Sequence, residues 1–190
     1  MPNNFLEELV AEWYEFQGYF IRRNIPVGKR PKGGYQSELD IVCFHLDKKE
    51  LPDKKELPDK KELVHIETST DADPWTKREE KFRKKFDAGK KYIPEIFRGI
   101  PFELKQIAVL NVSTKNHDTV GGEKIQDVKE LLKEILSVLR SRPITSRAVP
   151  EKFPLLRALQ LVVEHWRELD EVVQKEEVKN TPKSETKEDP

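Results

Sequence analysis

Residues 38–69 decide the fold of this chain, and they read ELDIVCFHLDKKELPDKKELPDKKELVHIETS. Apolar and β-branched residues fill both ends of the stretch, at 39–46 and 63–69, which predicts two strands. Between them the hexamer DKKELP occurs twice and DKKEL a third time. With two copies of the hexamer left out, ELDIVCFHLDKKELVHIETS reads as a hairpin with its turn at DKKE. We therefore interpret 47–62 as an expanded hairpin loop and not as a functional repeat.

Two carboxylates meet at the open end of this hairpin. Pairing Leu46 with Leu63 sets Asp40 opposite Ser69, with Glu67 two residues before it on the same strand. Because side chains alternate along strands, Asp40 and Glu67 then share one face. Carboxylate oxygens placed in this way suit a hard cation such as Mg²⁺ or Mn²⁺.

The sequence on either side of the hairpin completes an α-β-β-β-α-β order. Periodicity predicts helices at 5–17, 74–97, 123–141 and 151–175, and apolar runs predict further strands at 19–27 and 104–112. This order indicates an α/β (α+β) fold with a mixed central sheet and two C-terminal helices. We expect a core at 1–118, a helical hairpin at 119–175 packed on it, and a disordered polar tail at 176–190.

The bulk composition limits the classes of function. Net charge is +0, so the chain as a whole has no attraction for nucleic acid, although basic residues cluster locally. The single cysteine, Cys43, excludes a disulfide framework, and no apolar stretch approaches ~20 residues. A cytoplasmic protein with no membrane segment is expected. His45 and His65 fall on opposite faces of the predicted hairpin, so both are interpreted as structural.

The two acidic strand positions and the order of elements resemble the PD-(D/E)xK, or restriction-endonuclease-like, nuclease superfamily. The resemblance covers roughly residues 5–113, with ELD at 38–40 at the Asp position and HIETS at 65–69 at the second acidic position. It implies that Asp40 and Glu67 bind Mg²⁺ or Mn²⁺ and that the protein hydrolyses phosphodiester bonds. It also implies an acid from the first helix, for which Glu8 is preferred over Glu7 and Glu12.

One motif position departs from the family pattern. The family carries a lysine two residues after the strand Glu, whereas this chain has Ser69 there. Some members supply the lysine from the following helix, where Lys77, Lys81 and Lys84 lie on one face at steps of four and three. Lys77 is the first choice for the catalytic lysine.

The predicted substrate is DNA, with branched and single-stranded forms among the candidates. Basic residues in a loop and on the second predicted helix are the candidate phosphate contacts: Arg22, Arg23, Lys29, Arg30, Lys32, Lys81 and Lys84. Apolar residues of the last predicted helix could pack on the core or form a face for a homodimer or another partner.

Two hypotheses follow, and the missing lysine separates them. The first is a metal-dependent nuclease that cleaves DNA. The second is an inactive relative that uses the same fold to bind DNA or protein. A lysine ammonium within hydrogen-bonding range of Asp40 and Glu67 would favour the enzyme, and carboxylates splayed apart would favour the binding module.

Overall fold

A computed structural model describes residues 4–45, 61–111 and 117–170 of the chain. The repeat up to residue 60 and the predicted tail at 176–190 lie outside these ranges. The described chain is α+β with a six-stranded mixed sheet, which confirms the predicted class. The elements are α1 (Phe5–Phe16), β1 (Phe20–Lys29), β2 (Tyr35–Phe44), β3 (Lys61–Ser69), α2 (Trp75–Ile96), β4 (Phe102–Leu110), β5 (Thr119–Val120), β6 (Glu123–Asp127), α3 (Val128–Arg140), α4 (Ile144–Arg147) and α5 (Pro154–Glu164).

The strands lie in the order β1-β2-β3-β4-β6-β5. Strands β1, β2 and β3 are antiparallel neighbours, whereas β4 lies parallel to β3 and β6 lies parallel to β4. Helix α2 makes the crossover between the parallel strands β3 and β4, as such connections require. Strand β3 is therefore central, and its C-terminal end lies between an antiparallel and a parallel neighbour.

The predicted register of the hairpin was wrong by two residues. Phe44, and not Leu46, pairs with Leu63, and Ile41 pairs with Ile66. Extending this register by one pair sets Asp40 beside Glu67. A shift of two keeps every side chain on its original face, so the apolar pattern could not distinguish the two registers. Asp40 and Glu67 therefore share one face of the sheet in the observed register as well.

The predicted helix at 123–141 begins five residues too early. Residues 123–127 form strand β6, and β5 and β6 make a short hairpin around Gly121 and Gly122. Both glycines have positive φ, 60° and 85°, which a tight two-residue turn of this kind requires. Ile125 is buried in the strand, although it also fits the apolar stripe of the predicted helix.

Helices α1 and α2 cover opposite faces of the central strands. Thr68 accepts a hydrogen bond from Asn4, the N-cap of α1, at 3.5 Å, whereas its neighbour Glu67 contacts Lys85 of α2. Adjacent residues of a strand point to opposite faces, so the helices lie on different sides. Helix α1 buries an apolar stripe of Leu6, Leu9, Val10 and Trp13.

Gly89 lets α2 approach the sheet closely. A Cβ on Gly89 would meet the His65 ring and lie 2.7 Å from Nε2 of Gln106. Any larger residue would push the helix away from β3 and β4. The buried residues of α2 (Arg78, Phe82, Phe86, Gly89 and Ile93) lie on the same side of the helix.

Gly89→Ala is expected to destabilise the protein. Alanine favours a helix over glycine by about 1 kcal/mol, but overpacking a core costs about 1–3 kcal/mol. Because the Cβ would strike two buried polar side chains, we expect a net loss of about 1–2 kcal/mol in the free energy of unfolding, measured by urea denaturation. Asp87→Ala, on the exposed face of the same helix, is the control and should change stability little.

The contacts divide the chain into two compact units, residues 1–135 and 136–190. In the second unit the side chain of Gln160 is buried, accepts from Val149 N–H at 2.8 Å, and donates to the carbonyl of Arg142 at 2.7 Å. The predicted helix at 151–175 is represented by α5 from Pro154 to Glu164. Within the described ranges no helix is long and apolar enough to cross a membrane.

Candidate functional site

Asp40 and Glu67 meet at one end of the central strands, as the sequence predicted. Asp40 is 7% exposed and Glu67 is fully buried. The backbone N–H of Asp40 donates to Oε1 of Glu67 at 3.4 Å. Two acids held this closely in a buried site repel one another unless a positive charge or hydrogen-bond donors compensate.

Each carboxylate has one oxygen held by the protein and one oxygen directed at a common point. Oδ2 of Asp40 accepts from the Thr68 backbone N–H at 2.9 Å, and Oε1 of Glu67 accepts from the His65 ring at 2.7 Å. The other two oxygens, Asp40 Oδ1 and Glu67 Oε2, both accept from the ammonium of Lys85. The Asp40–Lys85 distance is 2.6 Å. This point between the two acids is the centre of the site.

Lys85 comes from α2, the helix that the resemblance indicated, but it was not among the three candidates. Its side chain is 23% exposed, so it reaches the acids from the edge of the core. Lys85 lies next to Phe86 and three residues after Phe82, both buried in the helix–sheet interface. That spacing from the apolar stripe was the sequence signal that could have identified it.

None of the three predicted lysines contacts Asp40 or Glu67 in the described structure. Lys77 is 69% exposed and pairs with Asp73 at 2.7 Å, and Lys84 is 74% exposed and pairs with Glu80 at 2.6 Å. Lys81 pairs with Asp71 at 2.6 Å and, one turn before Lys85, lines the cavity described below. Of the three, the structure brings only Lys81 to the site.

The site shifts the pKa of each of its three central groups. Burial and the neighbouring Glu67 charge raise the pKa of Asp40. Burial also opposes ionisation of Glu67, but the hydrogen bond from His65 and the Lys85 charge outweigh it and lower the pKa of Glu67. Burial alone would lower the pKa of Lys85, but the two carboxylates outweigh this effect and raise the pKa above its ordinary value. Lys85 is therefore an ammonium at neutral pH.

The site opens into a cavity of about 610 Å³ that is lined by polar and charged residues. Its lining residues are Asn4, Glu7, Asn24, Ser37, Glu38, Asp40, Thr68, Ser69, Asp71, Lys81 and Lys85. Asn24 lies in β1 between the pairs Arg23–Ile41 and Ile25–Leu39, which places it opposite Asp40. Asn24 has a φ of 49°, a left-handed conformation that asparagine tolerates better than most residues. The backbone is thus distorted at the wall of the cavity, where functional sites commonly store strain.

Glu7, and not the preferred Glu8, is the acid of α1 that lines the cavity. Burial and the charge of Asp40 raise the pKa of Glu7 to about 7. Glu8 instead pairs with Arg23 at 2.6 Å, and Glu12, the other alternative, is buried. Glu8 is absent from the cavity lining.

Glu7→Gln is expected to stabilise the protein at about pH 8 and to leave its stability unchanged at about pH 4. A folded-state pKa raised from 4.5 to about 7 means that ionised Glu7 destabilises the fold, increasingly as pH rises between those values. Because Glu7 is partly exposed, we expect a gain of only about 1 kcal/mol in urea denaturation at the higher pH. Glu8→Gln is the matched control: it breaks the pair with Arg23 and should not stabilise. A loss of stability for Glu7→Gln at about pH 8 would contradict this assignment.

The predicted basic loop at 22–32 is partly strand: Arg22 and Arg23 lie near the start of β1, Lys29 ends that strand, and Arg30 and Lys32 lie in the turn to β2. Arg22, Lys29, Arg30 and Lys32 are exposed, which leaves them available for phosphate contacts. Arg23 is half-buried, pairs with Glu8 and lies 3.8 Å from Glu15. Its charge is therefore already compensated by α1.

The donor atoms at the centre suit a divalent cation. Among residues 4–45, 61–111 and 117–170, no group of three or more His, Cys, Asp or Glu side chains is arranged to hold a metal ion. Two carboxylate oxygens do converge on one point, where the Lys85 ammonium stands as a cation. Mg²⁺ is commonly held by one or two carboxylates, with water and substrate phosphate as its other ligands. Asp40 and Glu67 therefore fit such an ion in exchange for the ammonium.

The sequence missed the role of His65 in this site. The ring is fully buried, as expected of a structural histidine, but its Nε2 contacts Glu67 and its Nδ1 contacts Gln106. The spacing His-x-Glu on one strand was the available signal, because residues two apart share a face. No protein-family model matches the chain, and no curated protein matches it significantly.

Proposed function

We propose that this protein is a metal-dependent nuclease that hydrolyses phosphodiester bonds in DNA, on a restriction-endonuclease-like α-β-β-β-α-β core. The observation that carries the proposal is the convergence of Asp40, Lys85 and the buried Glu67, where Asp40 and Lys85 line a cavity of polar and charged residues. Two strand acids and a lysine are the groups that the resemblance implies. The lysine arrives from α2 and occupies the role left open by Ser69.

Asp40 and Glu67 would hold Mg²⁺ or Mn²⁺ through Oδ1 and Oε2, the two oxygens that now face Lys85. When bound, such an ion polarises the scissile phosphate and lowers the pKa of a coordinated water. The opposite oxygens of both acids are held by Thr68 and His65, so the carboxylates are oriented before any ligand arrives. Preorganisation of this kind lowers the cost of reaching the reactive geometry.

Lys85 contributes positive charge and a proton. Its ammonium lies beside both acids, where it can stabilise negative charge on the phosphate and donate to the leaving oxygen. Attack by water on phosphorus breaks the bond to that oxygen and releases a proton. Glu7 lines the same cavity with a pKa of about 7, which suits it to accept that proton near neutral pH.

DNA binding would depend on local basic groups, since the whole chain is neutral. Lys81 lines the cavity, and Arg22, Lys29, Arg30 and Lys32 are exposed along β1 and in the turn to β2. Phosphate contacts of this kind give affinity that falls with salt and carries little sequence information. The acidic lining of Glu7, Glu38 and Asp71 would repel phosphate, which makes a bound divalent cation more important for this substrate.

One observation favours the alternative of an inactive, DNA-binding or protein-binding relative. The Lys85 ammonium already satisfies both carboxylates, so the site is electrostatically complete without a metal ion. Against this, the acids are not splayed apart, and a lysine within hydrogen-bonding range was the feature that favours the enzyme. The two functions differ in one measurable respect, which is divalent-cation-dependent bond cleavage.

The test is a cleavage assay with the full chain on single-stranded, duplex and branched DNA, with Mg²⁺, Mn²⁺ or a chelator. We expect cleavage that requires the divalent cation and that Asp40→Ala abolishes. Equal cleavage by the variant, or cleavage in the chelator, would contradict the proposal. Binding to DNA without cleavage of any of these substrates would support the alternative.

A further inference from the structure

A buried chain of hydrogen bonds runs from Glu67 to the backbone of α2. His65 Nε2 lies 2.7 Å from Glu67 Oε1, and His65 Nδ1 lies 2.8 Å from Gln106 Nε2. Gln106 Nε2 also donates to the carbonyl of Phe86 at 3.0 Å. His65 and Glu67 are fully buried and Gln106 is 5% exposed, so water does not compete for these bonds.

The hydrogen bonds assign the tautomer of the His65 ring. The Gln106 amide nitrogen has two hydrogens, one for the Phe86 carbonyl and one for His65 Nδ1. Nδ1 is therefore the acceptor, and the ring hydrogen lies on Nε2, from which it donates to Glu67. This arrangement leaves Oε1 of Gln106 without a hydrogen-bond partner in a buried position. An unpaired buried carbonyl is costly, so the amide orientation must be held by its other contacts.

The ring of His65 is also fixed sterically. Phe86 packs against it edge to face, with ring centroids 5.8 Å apart and an interplanar angle of 85°. Gly89, one turn further along α2, leaves room for the ring and for Gln106. The residue that aligns the imidazole and the residue that carries the ammonium, Phe86 and Lys85, are therefore neighbours in one helical turn.

We propose that His65, fixed by Gln106, is a positioning residue that orients Glu67 so that Oε2 faces the cation position. The inference rests on the proposed function for the identity of the final ligand, a divalent cation on Asp40 and Glu67. In the metal-free protein the same orientation serves the Lys85 ammonium, which gives a test that does not depend on catalysis. Residues that orient metal-binding groups typically change metal affinity about 10–100-fold when they are replaced.

The test compares His65→Gln with His65→Leu. Glutamine can place an amide N–H near the position of Nε2 and donate to Glu67, whereas leucine fills space without donating. In the metal-free protein we measure double-mutant cycles on unfolding, combining each variant with Lys85→Met. We expect His65→Leu to be coupled to Lys85→Met by at least about fivefold in the unfolding equilibrium constant, with His65→Gln leaving the Lys85 contribution close to wild type.

The second measurement is nitrogen-15 NMR of the wild-type His65 ring, which should show the hydrogen on Nε2. Gln106→Met removes the donor to Nδ1 and should change this tautomer signal, which keeps the test decisive if a His65 variant fails to fold. The third is Mn²⁺ affinity by calorimetry, where we expect His65→Leu to lose at least about tenfold and His65→Gln to stay within about threefold of wild type.

Additive unfolding effects, or equal losses for leucine and glutamine, would overturn the positioning role whatever the cleavage assay gives. Coupling in the metal-free protein, with glutamine rescue but no Mn²⁺ binding by the wild type, would support the positioning role and contradict the proposed nuclease function. The two proposals therefore fail on different measurements.

Discussion

Lys85→Met is expected to reduce DNA cleavage at least about 100-fold, the effect of removing a preorganised charge or proton donor from an active site. The same variant should bind Mn²⁺ more tightly than wild type, because the ammonium no longer occupies the position between Asp40 and Glu67. A loss of activity together with a gain in cation affinity is not produced by a general loss of structure. Cleavage rates and Mn²⁺ calorimetry on the same preparations measure the two effects.

Lys77→Met is the matched control, since Lys77 lies on the same helix, is exposed, and pairs with Asp73 in the preceding loop. We expect its cleavage to stay within about twofold of wild type, since exposed ion pairs contribute little. Lys85→Met should also lower the free energy of unfolding by about 2 kcal/mol without metal, less than for a fully buried pair because Lys85 is partly exposed. Saturating Mn²⁺ should restore that stability. Full activity of Lys85→Met, or inactivation by Lys77→Met, would show that Lys85 is not the catalytic lysine.

The two acids could be predicted from sequence because their placement depends only on alternation along strands. The expected register was shifted by two residues, yet Asp40 and Glu67 still shared a face, since an even shift does not exchange the faces. The repeat did not affect this prediction either, because it adds residues between the two strands and leaves the alternation within each strand unchanged.

The lysine could not be chosen by the same argument. A helix presents residues in every direction, and the steps of four and three that relate Lys77, Lys81 and Lys84 define a face without saying what it contacts. The rotation of α2 is fixed by Gly89, where the helix approaches His65 and Gln106 closely. That contact, together with the buried Phe82 and Phe86, holds α2 so that Lys85, one turn before Gly89, reaches the acids. Tertiary packing therefore decided the identity of this residue.

Strand β6 was missed because its sequence satisfies two patterns at once. Ile125 belongs to an apolar series that continues through α3 with helical spacing, so the whole stretch was interpreted as one helix. The pair Gly121–Gly122 was the contrary signal, because two consecutive glycines favour a tight hairpin. The β5–β6 hairpin extends the sheet beyond β4 on the side away from the acids.

Asp40→Asn is expected to abolish cleavage, by at least about 1000-fold, while leaving the protein as stable as wild type or more stable. The sign of the stability effect follows from the raised pKa of Asp40, which means that the ionised carboxylate destabilises the fold above its unfolded-state pKa of 3.8. Asparagine keeps an oxygen that can accept from the Thr68 N–H and removes the charge that repels Glu67. The measurements are DNA cleavage in Mg²⁺ and urea denaturation near neutral pH.

Asp87→Asn, an exposed acid on α2, is the control and should change neither quantity appreciably. If a core residue has only a structural role, its replacement lowers the stability and the activity of the protein together. A residue kept for chemistry can be costly to the fold, so its neutral replacement gains or keeps stability as activity disappears. If Asp40→Asn unfolds more readily than wild type and the loss of cleavage parallels the unfolded fraction, Asp40 is structural and the metal site proposed here is wrong. If Asp40→Asn instead loses cleavage while its free energy of unfolding rises, the two buried acids destabilise the fold and are needed to bind the cation.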